Sequence, residues 1–389
     1  MQRLILALDT GVDDVLALAY VLGASAGAGS AGAELLGVVA SYGNVSARTA
    51  LRNTRAALEV LGAPNVPVYL GAEAPSWADS FIPDAGCEQF HGDNGLAGLD
   101  AADYGAQIST WGIEAGAPAS AGAGVVSVGG YRTDDPHARP AGALRVGPGV
   151  GVRAGERVGV GVRAGETTGL SAGAEFIAES VARFGDDLTV VTAGPLTDVA
   201  AAVTRYPELA GKLRLVMMGG ALTVPGNCYD GVAETNIIQD PEAADAVFKS
   251  GARVTMVGLD VTHQCLLGAE QAEAWRGSDA GEFLADLAAF SIAANREADA
   301  MFAQGMPLHD PLAVAVALDP SLVRCLELPM QVELETGDFT GVRGRTIGQQ
   351  GELGARQRPV RVAVSVDSRR FVDGFVEGLA SGRLLRGTF

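Results

Sequence analysis

Leu4-Ile5-Leu6-Ala7-Leu8 runs straight into Asp9-Thr10-Gly11-Val12-Asp13-Asp14, and Val15-Leu16-Ala17-Leu18-Ala19 follows at once. A short apolar run, an acidic turn holding one glycine, and a second apolar run read as strand, loop and helix. That order places three carboxylates at the carboxyl end of a strand, where open α/β sheets bind their ligands. Three acids so close repel one another unless a cation lies among them, and hard oxygen donors suit calcium or magnesium better than zinc. The competing reading is a solvated acidic turn in which Asp13 or Asp14 caps the helix. An EF-hand loop is excluded because Gly11 and Val12 interrupt the alternation of acids. A phosphatase-type Asp-x-Asp is excluded because Gly11 stands two residues beyond Asp9.

The same alternation continues along the chain. Strands are expected at Leu4–Leu8, Leu35–Ala40, Leu188–Thr192, Leu213–Met217 and Arg253–Leu259. Helices are expected at Val15–Leu22, Ala47–Leu61, Ala174–Phe184, Asp198–Arg205 and Pro241–Ser250, with a further helical run at Leu312–Leu318. Such β-α alternation predicts an α/β fold, an open, mainly parallel, Rossmann-like sheet with helices on both faces. The 389 residues, 48% of them hydrophobic, are expected to form a single domain over 1–389. One stretch interrupts it. Residues 115–172 are almost all Gly, Ala, Val, Pro, Arg and Ser, with a near-repeat in Val150-Gly151-Val152-Arg153-Ala154-Gly155-Glu156 and Val160-Gly161-Val162-Arg163-Ala164-Gly165-Glu166. Glycine at that density has much entropy to lose and few large side chains to bury, so the stretch reads as a flexible insertion.

Charge and cysteine content narrow the function classes. With 46 acids against 28 bases the net charge is −18, which argues against binding a nucleic-acid polymer. Cys87, Cys228, Cys265 and Cys325 form no CxxC pair and read as reduced thiols of a cytoplasmic protein. The N-terminal apolar run is too short for a signal peptide or a membrane span.

Several separated segments carry a resemblance. Beside Asp9-x-Gly11-x-Asp13-Asp14 stand Gly43-Asn44 after the second strand, His91-Gly92-Asp93-Asn94-Gly95-Leu96, and Ala193-Gly194-Pro195-Leu196-Thr197-Asp198. Met217-Met218-Gly219-Gly220, Gly226-Asn227, Ala233-Glu234-Thr235-Asn236 and Asp240-Pro241-Glu242 make a central block, and Gly258-Leu259-Asp260-Val261-Thr262-His263 precedes His309-Asp310-Pro311. Over roughly four-fifths of the chain, this order resembles the nucleoside hydrolases, the inosine-uridine-preferring N-ribohydrolases.

The resemblance implies calcium-dependent hydrolysis of the N-glycosidic bond of ribonucleosides to free base and ribose. It implies Ca²⁺ held by Asp9, Asp14, Asp310 and the main-chain carbonyl of Ala193, with Asp9 also taking a proton from a metal-held water. Asp13, Asn44, Asn227, Glu234 and Asn236 would hold the ribose, with Met218 packed near the sugar. The charge of an oxocarbenium-like state favours carboxylates and amide oxygens around such a ring. His309 stands where inosine-uridine-type members keep a leaving-group histidine, whereas purine-specific members tend to carry Trp. The resemblance further implies a cytoplasmic homodimer or homotetramer that takes a ribonucleoside and neither nucleic acid nor membrane. His263 reads as structural, and His91 as near the site without a proton-transfer task. If extended, the 234–236 stretch turns Glu234 and Asn236 to one side. Thr10, where many members have Pro, is expected to loosen the turn, and the 298–305 segment lacks the tyrosines that some members offer the base. A hydrolase of a modified or non-nucleoside riboside, and a catalytically silent calcium or ribose binder, remain as alternatives.

Overall fold

The computed structural model describes residues 2–26, 33–107, 169–228, 231–335, 342–348 and 358–380. Its strands, in chain order, are β1 (Gln2–Leu8), β2 (Ala33–Ala40), β3 (Val68–Leu70), β4 (Leu188–Thr192), β5 (Arg214–Met218) and β6 (Arg253–Val257). They continue with β7 (Leu266–Leu267), β8 (Met306–Pro307), β9 (Val323–Leu328), β10 (Met330–Val332), β11 (Thr346–Gly348) and β12 (Val360–Val366). The helices are α1 (Val12–Ala26), α2 (Ala47–Val60), α3 (Ala85–His91), α4 (Ala172–Phe184), α5 (Thr197–Arg205) and α6 (Thr235–Gln239). After them come α7 (Pro241–Lys249), α8 (Leu259–Thr262), α9 (Ala269–Glu273), α10 (Asp279–Ala298), α11 (His309–Leu318) and α12 (Ser368–Ala380).

Eight strands form the central sheet in the order β3-β2-β1-β4-β5-β6-β12-β9. Every neighbouring pair is parallel except β12 and β9, which close one edge antiparallel. The unbroken apolar run of β1 follows from its central place: Leu4, Leu6 and Leu8 face one core and Ile5 and Ala7 the other. Leu16, Phe283, Leu312 and Phe375 fill the first core, from α1, α10, α11 and α12. Ile177, Val199 and Phe248 fill the second, from α4, α5 and α7. No described helix is long and apolar enough to cross a membrane.

Local chemistry shifts several expected boundaries. The strand expected to reach Leu259 ends at Val257, because Gly258 turns the chain into α8. The helix expected from Ala174 starts at Ala172, where Ser171 caps it by accepting from Ala174 N at 2.9 Å. Ser171 also donates to Asp198, which is buried. The last residues assigned to the insertion are therefore structural, while the near-repeat lies outside the described residues. His309 and Asp310 form the first turn of α11 rather than preceding it.

Candidate active site

The acidic turn lies at the carboxyl end of β1, between the ends of β2 and β4, and its packing shows why the sequence spaces its residues as it does. Gly11 has no side chain because the site leaves no room for one. A Cβ there would lie 2.4 Å from His91 Nδ1 and 2.8 Å from Asn44 Nδ2. Gly43 answers the same need on β2's end, since a Cβ there would fall 1.8 Å from Asp9 Oδ2. Asn44 then reaches two acids. Its backbone N–H donates to Asp9 Oδ2 at 2.8 Å, and its Nδ2 donates to Asp9 Oδ1 at 3.1 Å and Asp14 Oδ2 at 3.3 Å.

Thr10 does not loosen this turn. It is buried with φ +27°, a value closed to proline, and its Oγ1 lies 2.7 Å from Thr54 Oγ1. Asn53 of α2 donates Nδ2 to Thr10 O at 3.3 Å and to Asn94 O at 2.8 Å, tying the acidic turn to the 91–96 loop.

Asp13, Asp14 and Asp310 are all buried, and one carboxylate oxygen of each lies within 4.8 Å of those of the others. Asp14 accepts from Gly11 N at 2.7 Å through Oδ2, but its buried Oδ1 has no partner. Burial raises the Asp14 and Asp310 carboxyls well above the usual range, and the neighbouring aspartates push them further. Burial likewise raises Asp9 to about 8, against the pull of the Asn44 N–H. A cluster of acids that disfavours its own ionisation, with one oxygen unpartnered, suits a divalent cation held by oxygen ligands. Asp9 stands beside this trio, and Asn44 donates to both of its oxygens.

A second wall of the site is assembled from the next strands. Asn236 Nδ2 donates to Ala193 O at 3.2 Å and Met218 O at 3.3 Å, and lies 3.3 Å from Met218 Sδ. Glu234 and Asn236 do not share an extended face. Glu234 caps α6, where Asn236 lies, and its oxygens accept from Asn236 N, Ile237 N and Gly220 N at 2.9–3.1 Å. Asn227 is exposed, and its Oδ1 accepts from Thr235 N at 3.0 Å.

His91, His263 and His309 lie near one another. Val12 N donates to His91 Nδ1 at 3.0 Å, and that nitrogen lies 3.8 Å from Asp13 Oδ1. An accepting Nδ1 leaves the proton on Nε2 of a neutral ring, consistent with burial lowering the His91 pKa. His309 Nδ1 lies 2.8 Å from Thr262 Oγ1, and burial with nearby His263 and His91 lowers its pKa to about 3. The His263 ring packs edge-on against His309 at 5.6 Å and Phe302 at 5.2 Å. Thr262 and Phe302 were not singled out from sequence. Nothing local marks a threonine as a histidine's partner 47 residues away.

The model of the inosine-uridine preferring nucleoside hydrolase family matches residues 4–373. The chain belongs to that family. Among its relatives is the pyrimidine-specific ribonucleoside hydrolase RihA of Salmonella gallinarum, 30% identical over 97% of each chain. A solved purine-preferring ribonucleoside hydrolase from Gardnerella vaginalis is 36% identical, covers 100% of both chains and superposes with a TM-score of 0.75. A plant nucleoside hydrolase is 25% identical over 98% of this chain and 99% of its own, with a TM-score of 0.71. This nucleoside hydrolase is therefore an N-glycosyl hydrolase acting on ribonucleosides.

Proposed function

We propose that this hydrolase cleaves inosine and uridine in a calcium-dependent reaction at the Asp9–Asp14 turn. The meeting of Asp13, Asp14 and Asp310 around one unpartnered oxygen carries this reading. Asp14 and Asp310 would hold the ion together with Asp9 and the Ala193 carbonyl, a set of hard oxygens that calcium accepts. Calcium held there would supply a lowered pKa to a coordinated water. Asp9 would be the group that accepts the proton of the attacking water. Asp13 accepts from the 2′-hydroxyl, and Asn44, Asn227, Glu234 and Asn236 hold the rest of the ribose beside Met218. Glu234 also fixes Asn236 through the backbone of α6. A neutral His309, its Nδ1 engaged by Thr262, meets the departing base through its other ring nitrogen. A cytoplasmic homodimer or homotetramer belongs to the same reading.

Two relatives pull base preference in opposite directions, one named pyrimidine-specific and the other purine-preferring. His309 favours acceptance of both classes. Ribose release from a panel of purine, pyrimidine and modified ribosides, with and without chelator, tests the proposal. Activity should appear on inosine and uridine, vanish in excess EDTA and return with calcium. Asp14→Asn and Asp310→Asn should each weaken calcium binding and abolish hydrolysis, and full turnover by metal-free enzyme would sink the mechanism.

A further inference from the structure

The end of the sheet away from the acidic turn carries the opposite charge. β5 opens on Arg214 and β6 on Arg253, and these two residues are partners in the parallel register. On the next strand, Arg361 of β12 pairs with Thr255 of β6, and Arg358 stands just before β12. All four arginines line one cavity of about 390 Å³ at the amino ends of these strands, where Glu327 is the only acidic lining residue among the described residues. A protein of net charge −18 has thus gathered four guanidinium groups about one space.

Their local partners do not use them up. Asp186 takes Arg253 through its carboxylate and Arg214 through its main-chain oxygen, the latter at 3.1 Å. Arg253 Nη2 also donates to Gly211 O at 3.3 Å, while its buried Nε has no partner. Arg358 and Arg361 enter none of the ion pairs among the described residues. The carbonyl end of α11 could have drawn these cations, because Val316 and Ala317 line the cavity. Yet Ala317 O already accepts from Gln2 Nε2 at 2.8 Å.

We propose that this arginine-lined cavity binds a phosphate monoester of a small molecule. Planar guanidinium forks match phosphate oxygens two at a time, and four of them converge from three adjacent strands. The volume lies near the lower end of the roughly 300–1,000 Å³ typical of small-molecule sites, room for more than a bare phosphate. Leu215, Val216 and Val254 also line the cavity. The inference does not depend on which base the hydrolase prefers.

Calorimetric titration of the full chain with ribose 5-phosphate and with inorganic phosphate, at matched ionic strength, tests the site. One saturable equivalent of ribose 5-phosphate is expected, with inorganic phosphate weaker and competing for it. The double variant Arg358→Gln/Arg361→Gln should lose roughly tenfold or more in affinity, the order expected from removing charge-assisted hydrogen bonds. Its uridine hydrolysis and Tm should stay near wild type, since both side chains are exposed and far from the acidic turn. In Asp14→Asn the phosphate ester should bind as in the parent, which separates this site from the metal centre. Absence of saturable binding, equal affinity in the double variant, or loss of binding in Asp14→Asn overturns the proposal.

Discussion

Single atoms decide much of what this site can do. His309 engages Thr262 through one ring nitrogen, and under the proposed function the other would meet the leaving group. Replacing it with Ala should therefore damage inosine and uridine hydrolysis far more than hydrolysis of p-nitrophenyl riboside, whose leaving group departs unaided. Help to a leaving group of this kind is worth about 10²–10⁴ in rate, so initial rates on the paired substrates read it directly. Equal losses on both would make His309 structural. Gly11 is the second test at this scale. Gly11→Ala would drive a methyl against the His91 ring and the Asn44 amide, neither at the free end of a flexible chain. Overpacking of this sort costs about 1–3 kcal/mol, so a lowered Tm together with a large drop in kcat is expected. Wild-type kcat in that variant would show that Asn44 can shift without disturbing Asp9.

Among the elements, the central strands and their helices were legible because each buried face repeats at its own period. β4 was read to the residue, and α2, α5 and α7 to within one at either end. The acidic turn, the Asn44 strand end and the His309-Asp310 pair were legible because each carries unusual chemistry in a short span. What escaped was set by contacts remote in sequence. The pairing of β12 between β6 and β9 joins segments that no local pattern connects. The helical state of 235–239 depends on Glu234 capping that helix while also accepting from Gly220 N, 14 residues upstream. Ser171 escaped for the same reason, being the last polar residue of a glycine-rich stretch until α4 and Asp198 give it work. That contrast yields a prediction. Deleting residues 116–168 and joining the ends with a short Gly/Ser linker should preserve ribose hydrolysis, since loop length carries little free energy. Extending the deletion through Ser171 removes a cap worth roughly 0.5–2 kcal/mol and a donor to buried Asp198, so thermal melts should separate the two forms. If the shorter deletion loses most of its kcat, residues 116–168 act at the site.

Across the whole molecule, the site and the fold are coupled through charge. Asp9, Asp14 and Asp310 all have carboxyls raised first by burial and then by neighbouring aspartates, Asp13 among them in each case. A raised acid contributes stability that is fully present below its unfolded pKa and lost as pH rises through its folded pKa. For Asp9 that window runs from 3.8 to about 8. The metal-free protein should accordingly lose stability from this site as pH climbs from 5 to 8. Under the proposed function calcium would work the other way, because it would bind the ionised carboxylates and compete with their protons. Its stabilisation follows RT ln(1 + [L]/Kd), about 2.7 kcal/mol when calcium stands at 100 times Kd. As Kd tightens with pH, the calcium-induced rise in Tm should be small at pH 5 and large at pH 8. The difference between melts with calcium and with EDTA at each pH isolates the site from every other titrating group. In Asp14→Asn the metal-free protein should melt higher than wild type at pH 8, with the calcium response largely gone. A calcium-induced shift of equal size at both pH values, or one that survives in Asp14→Asn and Asp310→Asn, would move the ion to other ligands and leave the buried acids without a counter-charge.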